Sequence, residues 1–362
     1  MPDEDTDPSL IDQGSVHLQT DLWGKTGTVP LTAPVGTPHE PGVSDRPKRR
    51  RPIIPSHLAG KEITSSFDDP GRLVVGDGTM GFEPLSISRD SVVRLAYRPD
   101  TVLDSFAGPN WTVRAASSRG DGHRFSGVPR QDDFAIGEIG YSEALVIAVS
   151  DGVSASPESH HSAFHVTRKA VELLSERLSN SEPLDFPDVI EQCAYVPVAL
   201  TVQLLGAPEP DADLAVRMLS CTITVAVITP AEPGRLTVEA VTVGDSALGI
   251  LNSDSLRRLQ GGKDSASGTT DSAVVGLPRV PVDLPVLHTE VLPGDVLLIG
   301  SDGIWDPLSD GNGLVGDMLR STLLPTAPSI GQFGRISDFS RETWDDDRTL
   351  VCVWPSELPT TR

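Results

Sequence analysis

The chain has 362 residues, 51 acidic and 29 basic side chains, and a formal net charge of −22, so nucleic-acid backbones and anionic membranes are excluded as first-choice partners. Its three cysteines, Cys193, Cys221 and Cys352, are too scattered for a disulfide framework or a thiolate zinc site. No apolar run nears the roughly 20 residues that span a bilayer, and the acidic start MPDEDTDPSLIDQG has no apolar signal core, which makes a cytoplasmic location the expectation.

In chain order, residues 1–65 are rich in Pro, Gly, Thr, Asp and Ser without hydrophobic periodicity, the composition of a disordered tail. Its basic run, Lys48 to Arg51, reads as a solvated basic patch, with a nuclear-import signal or a dock for an acidic partner as the functional alternatives. Residues 66–110 alternate short apolar pieces with turns and read as an amino-terminal extension, with Asp77-Gly78 as a hairpin turn. The main domain is expected over 111–356.

That domain opens with strands at WTVRAAS, DFAIGEIG and ALVIAVSD, the last apolar throughout, as in a strand covered on both faces. Ala163, Val166, Ala170, Leu174 and Leu178 recur at three- and four-residue steps, which predicts a helix over 158–179. A second helix is predicted over 188–205, kinked or split at Pro197. Strands follow at 221–229, 235–244 and 247–252, then an exposed loop over 261–272, two strands ending in DVLLIGSD, a short helix over 314–323 and a closing strand TLVCVW. Strands dominate and do not alternate with helices, so the fold class is α+β.

Two strands run straight into Asp-Gly pairs, at Asp151-Gly152 and Asp302-Gly303, and a third acidic cluster, Asp345-Asp346-Asp347, precedes the last strand. Carboxylates at strand mouths, with glycine allowing close approach, are suited to hard divalent cations. Asp245 in GDS reads as a turn residue. His160, His161 and His165 cluster at a helix start, without an evident acidic or thiol partner to complete a zinc site.

Taken in order, GHRFSGVPRQDDF, VSDG, VGDS, SDGIWD and DDRTLV over about 111–354 resemble the metal-dependent protein serine/threonine phosphatases of type 2C, the PPM family, in their bacterial branch. The resemblance implies an antiparallel β-sandwich flanked by helices, in four layers α-β-β-α. It implies two Mg or Mn ions, with Asp151 bridging, the Gly152 carbonyl on the second ion, Asp302 and Asp346 on the first, and Asp132 hydrogen-bonded in the site. Asp132, Asp151, Asp302 and Asp346 are the expected catalytic set, and Arg124 is the candidate for the substrate phosphate, ahead of Arg119 and Arg130. The implied reaction is hydrolysis of phosphoserine or phosphothreonine in proteins by a metal-activated water, with a phosphoprotein substrate and a serine/threonine kinase as counterpart. Gln131 stands where the family has a glutamate, and Val153 where many members have a histidine. These two departures define the alternative, a pseudophosphatase acting as a phosphopeptide-binding or signalling module.

Overall fold

The computed structural model describes residues 72–78, 98–140, 143–263 and 275–356. The expected tail over 1–65, with Lys48 to Arg51, and most of the loop over 261–272 lie outside them. The described residues form two antiparallel sheets. The six-stranded sheet has the order β1 (Thr101–Ala107), β2 (Trp111–Ser118), β11 (Arg348–Pro355), β10 (Val296–Gly300), β7 (Ala247–Leu251), β8 (Leu256–Gly261). The five-stranded sheet runs β3 (Asp133–Ile139), β4 (Ala144–Ser150), β5 (Ile223–Pro230), β6 (Leu236–Val243), β9 (Leu287–Val291).

Strand alternation builds three apolar layers from these sheets. Leu145, Ile147 and Val149 of β4 face Val351, Val353, Leu297 and Ile299 in the sandwich interior. The alternate residues Val146 and Ala148 pack outward on α2 (Ser159–Ser179) and α3 (Phe186–Leu205) through Ala163, Val166, Ala170, Val189 and Ile190. On the other side Leu298, Leu350 and Cys352 meet α5 (Asp302–Leu308), α6 (Leu314–Leu323) and α7 (Ile330–Ser337) through Ile304, Trp305, Leu319 and Phe333. The result is the expected four-layer α-β-β-α sandwich. Because both faces of β4, β10 and β11 are covered, the central residues of these strands are continuously apolar.

α3 runs unbroken through Pro197, correcting the expected split; burial of Val189, Ile190, Cys193 and Leu200 outweighs the lost backbone bond. The segment 72–78 lies along 338–342: Val74 makes a parallel bridge to Ser340, and the Glu342 amide donates to the Asp77 carbonyl at 2.6 Å. The residues that would follow the expected Asp77-Gly78 hairpin turn, 79–97, lie outside the described residues. β1 pairs with β2 along its whole length, so the sheet takes in residues ahead of Trp111. The three cysteines are free and buried.

Register decides where the acidic motifs meet. At the end of β10, Gly300 is paired on one side with Ala247, at the start of β7, and on the other with Leu350, near the start of β11. The segments holding Asp302, Asp245 and Asp346 therefore share one end of the sheet. In the facing sheet, Ser150 at the end of β4 pairs with Asp133 at the start of β3, which sets Asp151 beside Asp132.

Candidate metal centre

Asp151 and Asp302 reach one cluster from opposite sheets, and Asp245 joins them, with ligand atoms all within 4.8 Å of one another. Thr222 holds Asp151 from its own sheet: its hydroxyl accepts from the Asp151 amide at 3.0 Å, and its amide donates to the Asp151 carbonyl at 2.7 Å. Asp302 opens α5, whose Trp305 Nε1 donates to the Ala247 carbonyl at 2.9 Å. That bond fixes the helix to β7 and identifies Trp305 as a packing residue. Gly303 has no room for a side chain, since a Cβ there would lie 1.9 Å from the Asp347 carbonyl oxygen.

The adjacent pair Asp346-Asp347 divides its work. Asp347, 1% exposed, accepts from the Gly120 amide at 2.6 Å and from the Gln131 amide, and its Oδ1 lies 2.9 Å from His123 Nδ1. Although burial alone would raise its pKa, the His123 charge and these bonds hold the Asp347 carboxyl below the usual range. Asp347 thus clamps α1 (Asp121–Ser126) and the Gln131 segment onto the start of β11. Its role as a clamp is not visible from the acidic run alone.

Asp132, Asp151, Asp346 and Asp245 are compensated less fully. Burial and the charge of Asp347 raise Asp132 to about 8, moderated by the Ser301 hydroxyl and the Asp151 carboxyl nearby. Burial, then Asp132, Asp302 and Asp346, push Asp151 well above its ordinary value. Burial, Asp302 and Asp347 raise Asp346 to about 7, and burial followed by Asp302 raises Asp245 to about 6. Both oxygens of Asp132, Oδ1 of Asp302 and Oε1 of Gln131 are buried without a hydrogen bond of normal geometry. Buried carboxylates crowded together with unused lone pairs call for a cation. The donor set is all oxygen, which suits Mg or Mn. Gly152 is packed against its neighbours, since a Cβ there would lie 2.5 Å from Ser159 Oγ and 2.8 Å from Gln131 Cβ, so only glycine lets these segments close on the site. The residues present therefore fit the implied ions.

Two cations of the chain itself border the cluster. Lys263, at the end of β8, places Nζ 2.7 Å from Asp306 Oδ2, 2.9 Å from Asp302 Oδ2 and 3.5 Å from Asp245 Oδ2. His123, against burial that pushes it down, is lifted to about 9 by the charge and hydrogen bond of Asp347. A histidine raised in this way stabilises the fold fully below its unfolded pKa of about 6.5 and loses that contribution as pH rises toward 9. In chelator, the wild type is expected to lose several degrees more of melting temperature between pH 6.5 and 9 than His123→Gln; parallel losses would contradict the ion pair.

Arg124 is held between two carboxylates. Its Nη2 donates to Asp100 Oδ1 at 2.5 Å and its Nη1 to Asp338 Oδ1 at 2.8 Å, with Asp121 Oδ1 at 3.9 Å. Arg119 donates to the Val128 and His123 carbonyls, and Arg130, itself buried, to that of Ser117. His160, lowered to about 3 by burial, His161 and Arg98, is neutral and unsuited to replace the acid absent at Val153.

A sequence profile of protein phosphatase 2C matches residues 119–330, more than half of the chain. The chain belongs to the protein phosphatase 2C family. The activity this membership assigns is that of a metal-dependent protein serine/threonine phosphatase. Similar solved structures include the S. agalactiae serine/threonine phosphatase, 16% identical over 68% of this chain and 100% of that one, with a TM-score of 0.48. Another is RsbX in complex with magnesium, 13% identical over 70% and 100%, TM-score 0.47. A third is the Mycobacterium tuberculosis serine/threonine phosphatase PstP/Ppp, 18% identical over 68% and 98%, TM-score 0.45. No curated protein matches the chain. No helix among the described residues is long and apolar enough to cross a membrane.

Proposed function

We propose that the chain removes phosphate from serine or threonine side chains of proteins at the Asp132, Asp151, Asp302, Asp346 centre, and that 111–356, with β1 attached, is the phosphatase domain. The observation that carries this reading is the convergence of four carboxylates, from four separate segments, at one end of the sandwich, buried and without enough cation to balance them. Magnesium or manganese, when bound, would supply the acidified water and the charge that offsets the phosphate oxygens. Asp151, the Gly152 carbonyl, Asp302 and Asp346 would hold the ions.

The chain's own residues do the rest. Asp132 presents its two unused oxygens from the start of the β3 sheet, on the Asp151 side, where they can orient a water. Asp347 holds that segment in place through the Gln131 amide. His123, protonated at neutral pH, supplies the positive charge and the proton donor at this edge of the site, the part for which Arg124 is committed elsewhere. The substrate is a phosphorylated protein, and the counterpart enzyme is a serine/threonine kinase. Gln131 weakens the Gly152 side of the site, because an amide is a poorer ligand than a carboxylate for a hard ion.

Hydrolysis of a phosphothreonine peptide and of p-nitrophenyl phosphate, with manganese and with chelator, tests the proposal. Manganese-dependent turnover of both is the expected result. Absence of turnover with retained phosphopeptide binding would replace the enzyme by the signalling module, and turnover indifferent to chelator would overturn the metal centre.

A further inference from the structure

The amino-terminal end of α2 holds buried polar groups that the phosphatase centre does not use. Glu158, His160 and His161 are 3%, 6% and 4% exposed, and each offers a ligand atom within 4.8 Å of the other two. Glu158 sits at the N-cap position of α2. Its Oε2 lies 3.5 Å from His161 Nε2, too far for a good hydrogen bond. That separation matches the edge, roughly 3.4 Å, of a tetrahedron with metal–ligand bonds of about 2.0–2.2 Å.

His161 Nε2 and His160 Nδ1 are both buried without a hydrogen-bond partner, and the two rings lie 4.0 Å apart between centroids. Burial, His161 and Arg98 keep His160 neutral, so its lone pair is available. The sequence pairs His161 with His165 and offers no acidic partner. The structure instead pairs His161 with His160 and supplies the carboxylate from Glu158, while the His165 ring stacks edge-on against Phe164.

We propose that Glu158, His160 and His161 form a second cation site, separate from the all-oxygen centre, that takes a zinc-class transition-metal ion. Two imidazoles and one carboxylate favour zinc over magnesium, so the two centres select different ions from the same solution. The site adjoins the Gly152 loop through Ser159, and Arg98 donates to the carbonyls of both His160 and Asp132. An ion there pins the start of α2 against the segments that shape the phosphatase centre.

The test uses the full chain carrying Asp151→Asn, stripped with chelator and titrated with zinc alone. One equivalent is expected to bind, with X-ray absorption showing two imidazoles in a shell at about 2.0–2.1 Å. His161→Gln and Glu158→Gln are each expected to weaken it at least about 100-fold, more than the roughly 10–100-fold for losing a group that only orients a ligand. No zinc uptake, or an oxygen-only shell, would overturn the site. The absorption spectrum decides the matter even where a variant fails to fold.

Discussion

Asp151→Asn is expected to reduce manganese-dependent hydrolysis by at least about 10²–10³-fold while raising the melting temperature of the metal-free protein. The two effects share one cause. Asp151 is buried among Asp132, Asp302 and Asp346, and its ionised form is disfavoured by burial first and then by those three charges. In the absence of metal this crowding costs stability; with metal it is what holds the ion. A neutral amide of the same shape removes the repulsion and the ligand together. Relief of about 1–2 kcal/mol is a reasonable scale for one buried, poorly compensated carboxylate, and it corresponds to about 2–8 °C in a domain of this size.

The same carboxylates set a pH dependence. The folded pKa values of Asp132, Asp151 and Asp346 lie above the unfolded ones, so the folded state takes up protons that the unfolded chain does not, and stability of the metal-free protein falls as pH rises from about 4 through about 8. Asp151→Asn is expected to flatten that slope, as followed by thermal melts in chelator. A variant that is less stable than the wild type, or that keeps full activity, contradicts the account.

Lys263→Gln is expected to tighten manganese binding about tenfold, which is about 1.4 kcal/mol. The Lys263 ammonium lies within 3.5 Å of Asp245, Asp302 and Asp306 and occupies Oδ2 of Asp302, leaving Oδ1 unused. It therefore acts as a tethered cation on one face of the centre, where an added ion must compete with it or share its carboxylates. Its side chain is 52% exposed, so solvent screening limits the effect to a fraction of the Coulomb energy in a low-dielectric interior. Calorimetric titration of manganese into wild type and variant measures it; unchanged or weaker binding in Lys263→Gln would mean that the lysine supports the metal ligands instead of opposing the ion.

Much of the architecture was legible because the covered strands carry their own signature. β4, β10 and β11 are apolar on both faces, and each abuts an acidic turn, so strand identity and candidate ligands could be read together. Edge strands were not legible in this way: β1 and β8 mix polar and apolar residues and none of their residues is buried, and their pairing is a property of the sheet. α5 was hidden because its first residues are the Asp302-Gly303 pair of a strand mouth, and α7, although it opens on a Ser329 to Gln332 capping box, was not expected because eight residues are too few to show a clear helical period.

Within the site, Asp132, Asp151, Asp302 and Asp346 could be picked out by their place in short motifs. The sequence gives no sign that Asp100 and Asp338, 24 and 214 residues away, occupy Arg124, or that Lys263 folds onto Asp302 across 39 residues. Asp245, read as a turn residue, proves to stand in the cluster because β7 pairs with β10. Such contacts come from sheet register and loop paths, which local patterns do not encode.

The most direct measurement is anomalous diffraction at the manganese edge from crystals of the full chain grown with manganese. The account predicts peaks within coordination distance, about 2.0–2.3 Å, of the Asp151, Asp302 and Asp346 carboxylates. Well-ordered crystals with no anomalous peak beside Asp151 would contradict it.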